Sequence, residues 1–304
     1  MQGIVLRSTG SFYDVLTADG SRVMCTVRGK IRLEGIKESN PVAVGDRIAF
    51  DTDNEIGSIT EILPRKNHIL RQSVKKTGHA HVLAANVDQA FLVVTLAFPK
   101  TSLGFIDRFL VSAESFRIPQ TLVFNKKDLL DTEGLEYQNA LMDLYQTIGI
   151  RVIAISALAD GHEKIKSLIN EKTTLFAGHS GVGKSTLLNK LDPQINQKVG
   201  EISGYSEKGI HTTTFAEMFE IGENTFVIDT PGIKEWGLVD MNSQELSDYF
   251  PEMRDLRLYC KFGSKCLHVN EPKCAIIPAV ESGKIAYSRY ESYLSMLSGK
   301  DNRK

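Results

Sequence analysis

Gly178-His179-Ser180-Gly181-Val182-Gly183-Lys184-Ser185 fits the pattern G-x-x-x-x-G-K-S/T. An apolar run, Thr174–Ala177, leads into it, and a helical pattern, Ser185–Leu191, leads out. Strand, loop and helix in that order are the setting in which this motif cradles phosphate. Glycines let the backbone curl so that successive N–H groups point at phosphate oxygens, and the helix N-terminus adds positive potential. Lys184 then reaches the β- and γ-phosphates, and Ser185 ligates Mg²⁺. His179, Ser180, Gly181, Val182, Gly183 and Thr186 complete the same cradle.

The surrounding stretch, residues 73–236, alternates strands with helices. Phe91–Leu96, Thr121–Phe124, Val152–Ile155 and Thr225–Ile228 are further apolar runs. Between them, Phe105, Ile106, Phe109, Leu110 and Ala113 share one helical face, as do Leu141, Leu144, Tyr145 and Ile148. Buried strands alternating with amphipathic helices predict a mostly parallel sheet covered on both faces.

Three more motifs sit at the ends of those runs. Asn125-Lys126-Lys127-Asp128 follows Thr121–Phe124. An Asp carboxylate there accepts two hydrogen bonds, from the N1–H and the 2-amino group of guanine. Adenine offers neither donor on that edge and would leave the carboxylate unpaired. Asn125 is expected to face guanine O6 and N7, with the Lys126 stem on the purine and Lys127 in the same turn. Ser156 and Ala157 follow the next run, and the Ala157 N–H is expected to meet guanine O6. The plainer alternative for Asn125–Asp128 is a helix cap at a strand-to-helix turn. Asp229-Thr230-Pro231-Gly232 follows Thr225–Ile228: Asp229 would hold Mg²⁺ through water, and the Gly232 N–H would bond the γ-phosphate. His211-Thr212-Thr213-Thr214 lies in a polar stretch after the loop helix, and either Thr212 or Thr213 is expected to complete the Mg²⁺ shell. The order is unusual. Base-reading motifs precede the phosphate loop, the reverse of an ordinary GTPase, which marks a circular permutation of a GTP- and GDP-binding domain.

The flanks differ from this centre. Residues 1–72 read as five short strands, Ile4–Arg7, Tyr13–Leu16, Arg22–Val27, Arg47–Phe50 and Ser58–Ile62, with Asp19-Gly20 as a hairpin turn. That pattern and size suggest a small OB-type barrel. Residues 237–304 show no strand pattern and end in a helix with Ala286, Tyr290, Tyr293, Leu294 and Leu297 on one side. Cys260, Cys266, His268 and Cys274 crowd into this segment. Three thiolates and one imidazole make a closed tetrahedral Zn²⁺ site, structural rather than catalytic. The alternative is three buried free thiols and a surface His. Cys25, in the barrel, reads as core.

The chain of 304 residues is 42% hydrophobic and 24% charged, an ordinary globular composition. Its longest apolar run, near Ala90–Phe98, is too short for a bilayer, and the start lacks a charged region followed by a long apolar core. No membrane and no signal peptide are expected, which points to the cytoplasm. A net charge of -1 excludes a strongly basic nucleic-acid glove for the chain as a whole. Residues 1–80 nevertheless carry 12 basic and 9 acidic side chains, and residues 240–304 carry 10 and 9, around an acidic middle with 14 and 19. Arg22, Arg28, Lys30 and Arg32, then Arg65, Lys66, Arg71, Lys75 and Lys76, form a candidate RNA-phosphate footprint. Lys284, Arg289, Arg303 and Lys304 are expected to extend it.

The permuted motif order, the N-terminal barrel and the C-terminal Cys/His segment together resemble the ribosome small-subunit-dependent GTPase A family (RsgA, also called YjeQ or YloQ). The resemblance spans essentially the whole chain. It implies an OB-fold barrel, a central α/β circularly permuted P-loop GTPase domain and a mainly helical zinc-binding domain. It also implies a GTPase stimulated by the small ribosomal subunit, acting in late subunit maturation and contacting rRNA. A monomer is expected. Gly209–Thr214 matches the family's switch motif. The family spaces its first two cysteines one residue closer, so here Lys261–Lys265 must close over an extra residue. Many GTPases place Gln directly after D-x-x-G to position water. Ile233 stands there in this chain, and His211 is the expected substitute, a role the resemblance supports. The competing readings are a metabolic P-loop kinase or ATPase, against which N-K-x-D argues, and a zinc/OB nucleic-acid-binding module whose nucleotide site is only a scaffold. The intact Lys184, Ser185 and Asp229 argue against that scaffold.

Overall fold

The structure is a computed structural model that describes residues 1–27, 42–52, 56–72, 80–159, 161–193, 195, 216–230 and 241–299. The barrel strands are β1 (Gln2–Ser8), β2 (Tyr13–Thr17), β3 (Arg22–Val27), β4 (Arg47–Asp51) and β5 (Gly57–Ile62). They pair in the order β1-β2-β3-β5-β4, and β4 returns to β1, so the sheet closes without a free edge. Alternate residues Val5, Tyr13, Val15, Cys25, Ile48, Phe50 and Ile59 fill its interior. Burial pushes the Cys25 thiol up to about 11, as suits an inert core residue. Gly20 takes the left-handed conformation (φ 81°) at the Asp19-Gly20 turn.

A two-stranded ribbon, β6 (His68–Gln72) and β7 (Ala80–Ala85), follows the barrel. The boundary expected after residue 72 therefore falls inside a paired element. The ribbon is seated against the barrel: Ala85 N–H donates to Val44 O at 2.9 Å, and a Cβ on Gly45 would stand 2.2 Å from Ala85 O.

The central sheet contains β8 (Gln89–Val94), β9 (Gln120–Phe124), β10 (Arg151–Ala154), β11 (Thr173–Ala177), β12 (Glu217–Gly222) and β13 (Thr225–Asp229). Their order is β10-β9-β8-β11-β13-β12, parallel except for the edge strand β12. β8 and β9 are buried along their whole length, as expected of strands covered on both faces. The covering helices are α1 (Leu103–Ser115), α2 (Thr132–Thr147), α3 (Gly161–Ile169) and α4 (Lys184–Leu191). Asp131 caps α2, its carboxylate accepting from Gly134 N–H at 2.8 Å. β12 also reaches the barrel through the pair Arg7↔Glu217, so barrel and central sheet share one continuous sheet.

The last segment is built of short helices: α5 (Pro251–Arg254), α6 (Ile276–Glu281) and α7 (Tyr287–Leu297), with 3-10 turns between. Tyr293 is buried, and Tyr290, Leu294 and Leu297 pack beside it, as the helical pattern predicted. Among the described residues no helix is long and apolar enough to cross a membrane.

Two arginines assigned to the RNA footprint are structural. Arg65 is nearly buried and pairs with the fully buried Asp46, Nε to Oδ1 at 2.7 Å and Nη2 to Oδ2 at 2.8 Å. Arg289 is buried between Asp107 and Glu252. Lys66 is exposed and pairs with Asp88 at 2.8 Å. Arg22 and Lys284 are exposed as expected. Arg28, Lys30, Arg32, Lys75, Lys76, Arg303 and Lys304, and the side chain of Arg71, lie outside what is described.

Removing one partner of a buried ion pair leaves the other uncompensated, whereas an exposed pair contributes little. Asp46→Ala is therefore expected to lower unfolding free energy by about 3 kcal/mol or more, and Lys66→Ala by less than about 1 kcal/mol. Denaturant titration of both variants checks this, and equal losses would contradict it.

Candidate functional site

The phosphate loop leaves the C-terminal end of β11, between the parallel strands β8 and β13, and opens α4. Two of its glycines are required by close approach. A Cβ on Gly178 (φ 151°) would stand 2.5 Å from Val93 O, and one on Gly183 (φ 91°) would stand 2.4 Å from Asn125 Nδ2. Ser180, Gly181 and Ser185 are exposed on the loop's open side, while Val182 is buried beneath it. His179 lays its ring against Phe105 of α1, with centroids 3.8 Å apart.

Lys184 and Asp229, from motifs assigned separately to phosphate and Mg²⁺, meet directly. Lys184 Nζ lies 2.5 Å from Asp229 Oδ1, and both are largely shielded from solvent. Thr230 fixes the start of the D-x-x-G turn, its hydroxyl donating to Phe176 O at 2.8 Å. Gly232, Ile233, His211, Thr212, Thr213 and Thr214 lie outside the described residues.

On the base side Asn125 is held by two loops at once. Its Nδ2 donates to Val182 O in the phosphate loop at 2.8 Å, and its Oδ1 accepts the Ala157 N–H at 2.8 Å. The amide expected at guanine O6 and N7 and the N–H expected at guanine O6 are thus engaged with each other. Asn125 is a buried clamp between two loops. Lys126, left-handed at φ 62°, sends its ammonium to the carbonyls of Phe98 (2.6 Å) and Gly181 (2.7 Å). Asp128 sits in the turn Lys127–Leu129 and is exposed, so the carboxylate expected to read the base is open to solvent. Ser156 is buried and closes the adjacent turn, its carbonyl accepting from Ala159 and Gly161, each at 3.1 Å. Sequence reasoning missed Phe98, a 76% exposed residue whose carbonyl anchors the Lys126 ammonium. It also missed Lys190, which ties α4 to the carbonyls of Leu158 and Ala159.

The second site lies in the C-terminal segment. The ligand atoms of Cys260, Cys266, His268 and Cys274 lie within 4.8 Å of one another, and all four residues are buried. Cys260 Sγ and Cys274 Sγ are 3.9 Å apart, and His268 Nδ1 lies 3.6 and 3.4 Å from them. The edge of a tetrahedron with Zn–S bonds is roughly 3.8 Å, so the donor set and spacing fit zinc. Burial, aided by Arg257, holds His268 below its usual value, which keeps the ring neutral. Its Nε2 lies 3.2 Å from Ser247 Oγ, an outer partner that leaves Nδ1 for the metal. Burial pushes the Cys266 thiol up to about 12, so the thiolate form depends on a cation at its side. The longer loop after Cys260 closes through Gly263, left-handed at φ 50°. Tyr290 and Tyr293 donate to the carbonyls of His268 and Leu267 at 2.6 and 2.8 Å and hold the ligand loop on α7. Glu271 braces the same loop by accepting from Leu267 and Val269 N–H groups at 2.7 and 2.8 Å.

Comparison with known proteins agrees with this layout. Residues 62–239 match the RsgA GTPase family, and residues 2–59 match the RsgA N-terminal domain. A small ribosomal subunit biogenesis GTPase RsgA from Bacteroides fragilis is 49% identical over 306 residues, covering 100% of this chain and 98% of that protein. A small ribosomal subunit biogenesis GTPase RsgA 2 from Bacteroides thetaiotaomicron is also 49% identical, with the same coverage. Among solved structures, YjeQ from Thermotoga maritima superposes with a TM-score of 0.77 at 35% identity, covering 100% of this chain and 99% of that one. YloQ, described as a circularly permuted GTPase, gives 0.73 at 31% identity, covering 100% and 96%.

Asn125→Ala leaves a buried carbonyl and a buried N–H unpaired, each costing about 1–3 kcal/mol. The variant is expected to weaken GTP and GDP binding alike by about tenfold or more, as read by fluorescent-nucleotide titration. Unchanged affinities would remove the clamp from the site.

Proposed function

The chain belongs to the RsgA GTPase family and is a GTPase, and from that premise we propose that it binds the small ribosomal subunit and acts late in its maturation, with hydrolysis stimulated by the subunit. The nucleotide-binding part of this reading is supported most directly by the Asn125 double hydrogen bond, which joins the loops proposed to read the base and to bind phosphate, far apart in sequence. The relatives named as subunit-biogenesis GTPases supply the partner.

In this reading GTP lies across Gly178–Ser185, with Thr186 behind it, and its base meets Asp128 in a wall made by Asn125, Lys126, Lys127, Ser156 and Ala157. Lys184 exchanges Asp229 for the phosphates. That exchange frees the Asp229 carboxylate at the moment a cation arrives with the nucleotide. Ser185, with an exposed hydroxyl at the start of α4, and Asp229 are oxygen donors that suit Mg²⁺, and Thr212 or Thr213 would complete the set. Mg²⁺, when bound, neutralises charge on the β- and γ-phosphates. The Gly232 N–H takes the γ-phosphate, and His211 orients the attacking water. Zinc at Cys260, Cys266, His268 and Cys274 holds the C-terminal segment folded, a role suited to a small module. We place the protein in the cytoplasm as a monomer. The barrel, central domain and Cys/His module divide near residues 72 and 236, the first division lying within the β6–β7 ribbon that links barrel to central domain, with rRNA contacted by the first and last.

Three experiments test this. Hydrolysis measured with and without purified small subunits is expected to rise about tenfold or more with them, and absence of any rise would overturn the partner. His211→Ala is expected to abolish most of that rise while GTP affinity stays near normal; full stimulated turnover would take His211 out of the mechanism. Asp128→Asn reverses one donor–acceptor pair, so competition binding should show loss of guanine preference and a gain for xanthine. Unchanged competition would refute the base assignment.

A further inference from the structure

The buried guanidinium of Arg289 is used by neither the nucleotide site nor the metal site. It leaves α7, in the metal-bearing module, and enters the central domain. Nη1 lies 2.7 Å from Asp107 Oδ1 on α1, and Nε and Nη2 lie 2.7 and 3.2 Å from the two oxygens of Glu252 on α5. Tyr145 of α2 donates to the same Asp107 oxygen at 2.8 Å. The Phe250 ring lies 4.6 Å from the guanidinium carbon. One side chain thus joins the module to two helices of the GTPase domain.

The helix it grips also touches the phosphate loop. Every residue of α1 from Gly104 to Ala113 is buried. Phe105, Ile106, Phe109 and Leu110 face the central core, while Val111 packs into the core of the module. Phe105 carries the ring that lies against His179 at 3.8 Å. Asp107 is two residues on, about 200° around the helix axis, so the two contacts lie on opposite faces. α1 is gripped on one side by the module and bears on the phosphate loop with the other.

We propose that Arg289 is a positioning residue for the nucleotide site: it seats the metal-bearing module on α1, and α1 fixes the phosphate loop through the Phe105–His179 ring contact. This rests on Gly178–Ser185 being the phosphate-binding loop. It gives a partner that grips the module a path to that loop through described, packed elements, separate from the chain connection after Asp229–Gly232.

A double-mutant cycle tests it. Arg289→Met and Phe105→Leu, alone and together, are measured for GTP affinity with a fluorescent analogue, with bound zinc and thermal midpoint recorded for each. Each single variant is expected to weaken binding about three- to tenfold, and the double variant no more than the weaker-binding single one. Additive losses, or no loss for Arg289→Met, would overturn the proposal. Arg289→Lys keeps the charge but cannot serve both carboxylates, so its affinity should fall between wild type and Arg289→Met; it carries the cycle if the Met variant does not fold. Phe50→Leu in the barrel core lowers stability far from α1 and should leave affinity unchanged, and an equal loss there would reduce Arg289 to general stability. Wild-type affinity reports on the phosphate loop itself and the cycle on the joint, so the two readings fail separately.

Discussion

The carboxamide of Asn125 is the contact on which the nucleotide site depends. It is buried at the end of β9, and its two hydrogen bonds reach the phosphate loop after β11 and the turn after β10. In a low-dielectric setting such bonds are costly to lose, because neither partner has water to fall back on. Gly183 must be glycine because Asn125 Nδ2 occupies the space of a Cβ. Lys126 repeats the device one residue later through the Gly181 carbonyl. The loop Gly178–Ser185 is therefore held from the side by Asn125 and Lys126 at the end of β9, and its shape does not rest on its glycines alone.

This arrangement explains why permutation is tolerated. The contacts that make the site all lie at the C-terminal ends of parallel strands, and they depend on strand order in the sheet rather than on order along the chain. Moving the break makes β13, which ends at Asp229, the last strand of the central sheet along the chain, with the Cys/His segment following it. The barrel joins at the β12 end of the central sheet, through the Arg7↔Glu217 pair.

Much of this was legible in the sequence because it is local. Apolar runs marked β8, β9, β10, β11 and β13, and Cys/His spacing picked out the four residues whose ligand atoms the fold brings within 4.8 Å of one another. Short or half-polar elements escaped: β6, β7 and β12 lack a run long enough to stand out, and α3 has only Ile165 and Ile169 as buried large side chains. Charge partners escaped for a stronger reason. Arg65 finds Asp46 nineteen positions away, and Arg289 finds Asp107 at a separation of 182. Composition counts such arginines as basic surface, while burial turns them into struts. Asn125 shows the same limit: N-K-x-D implies a base contact, and only packing shows that the amide also bonds the Val182 carbonyl and the Ala157 N–H.

The joint between module and GTPase domain is ionic at its centre, and that choice has consequences. Desolvating Arg289 with two carboxylates costs much of what their attraction returns, so an apolar replacement would hold the surfaces together as well. An apolar contact, however, permits sliding at little cost, whereas a guanidinium bonded through Nη1 to one carboxylate and through Nε and Nη2 to another accepts only one orientation. Among the described residues Asp107 Oδ2 has no hydrogen-bond partner, so the geometry hangs on the single oxygen shared by Arg289 and Tyr145. A joint of this kind adds little to stability and much to direction. That is the property needed where a ligand-stapled module with a small core must keep its register on a helix that bears on a phosphate loop.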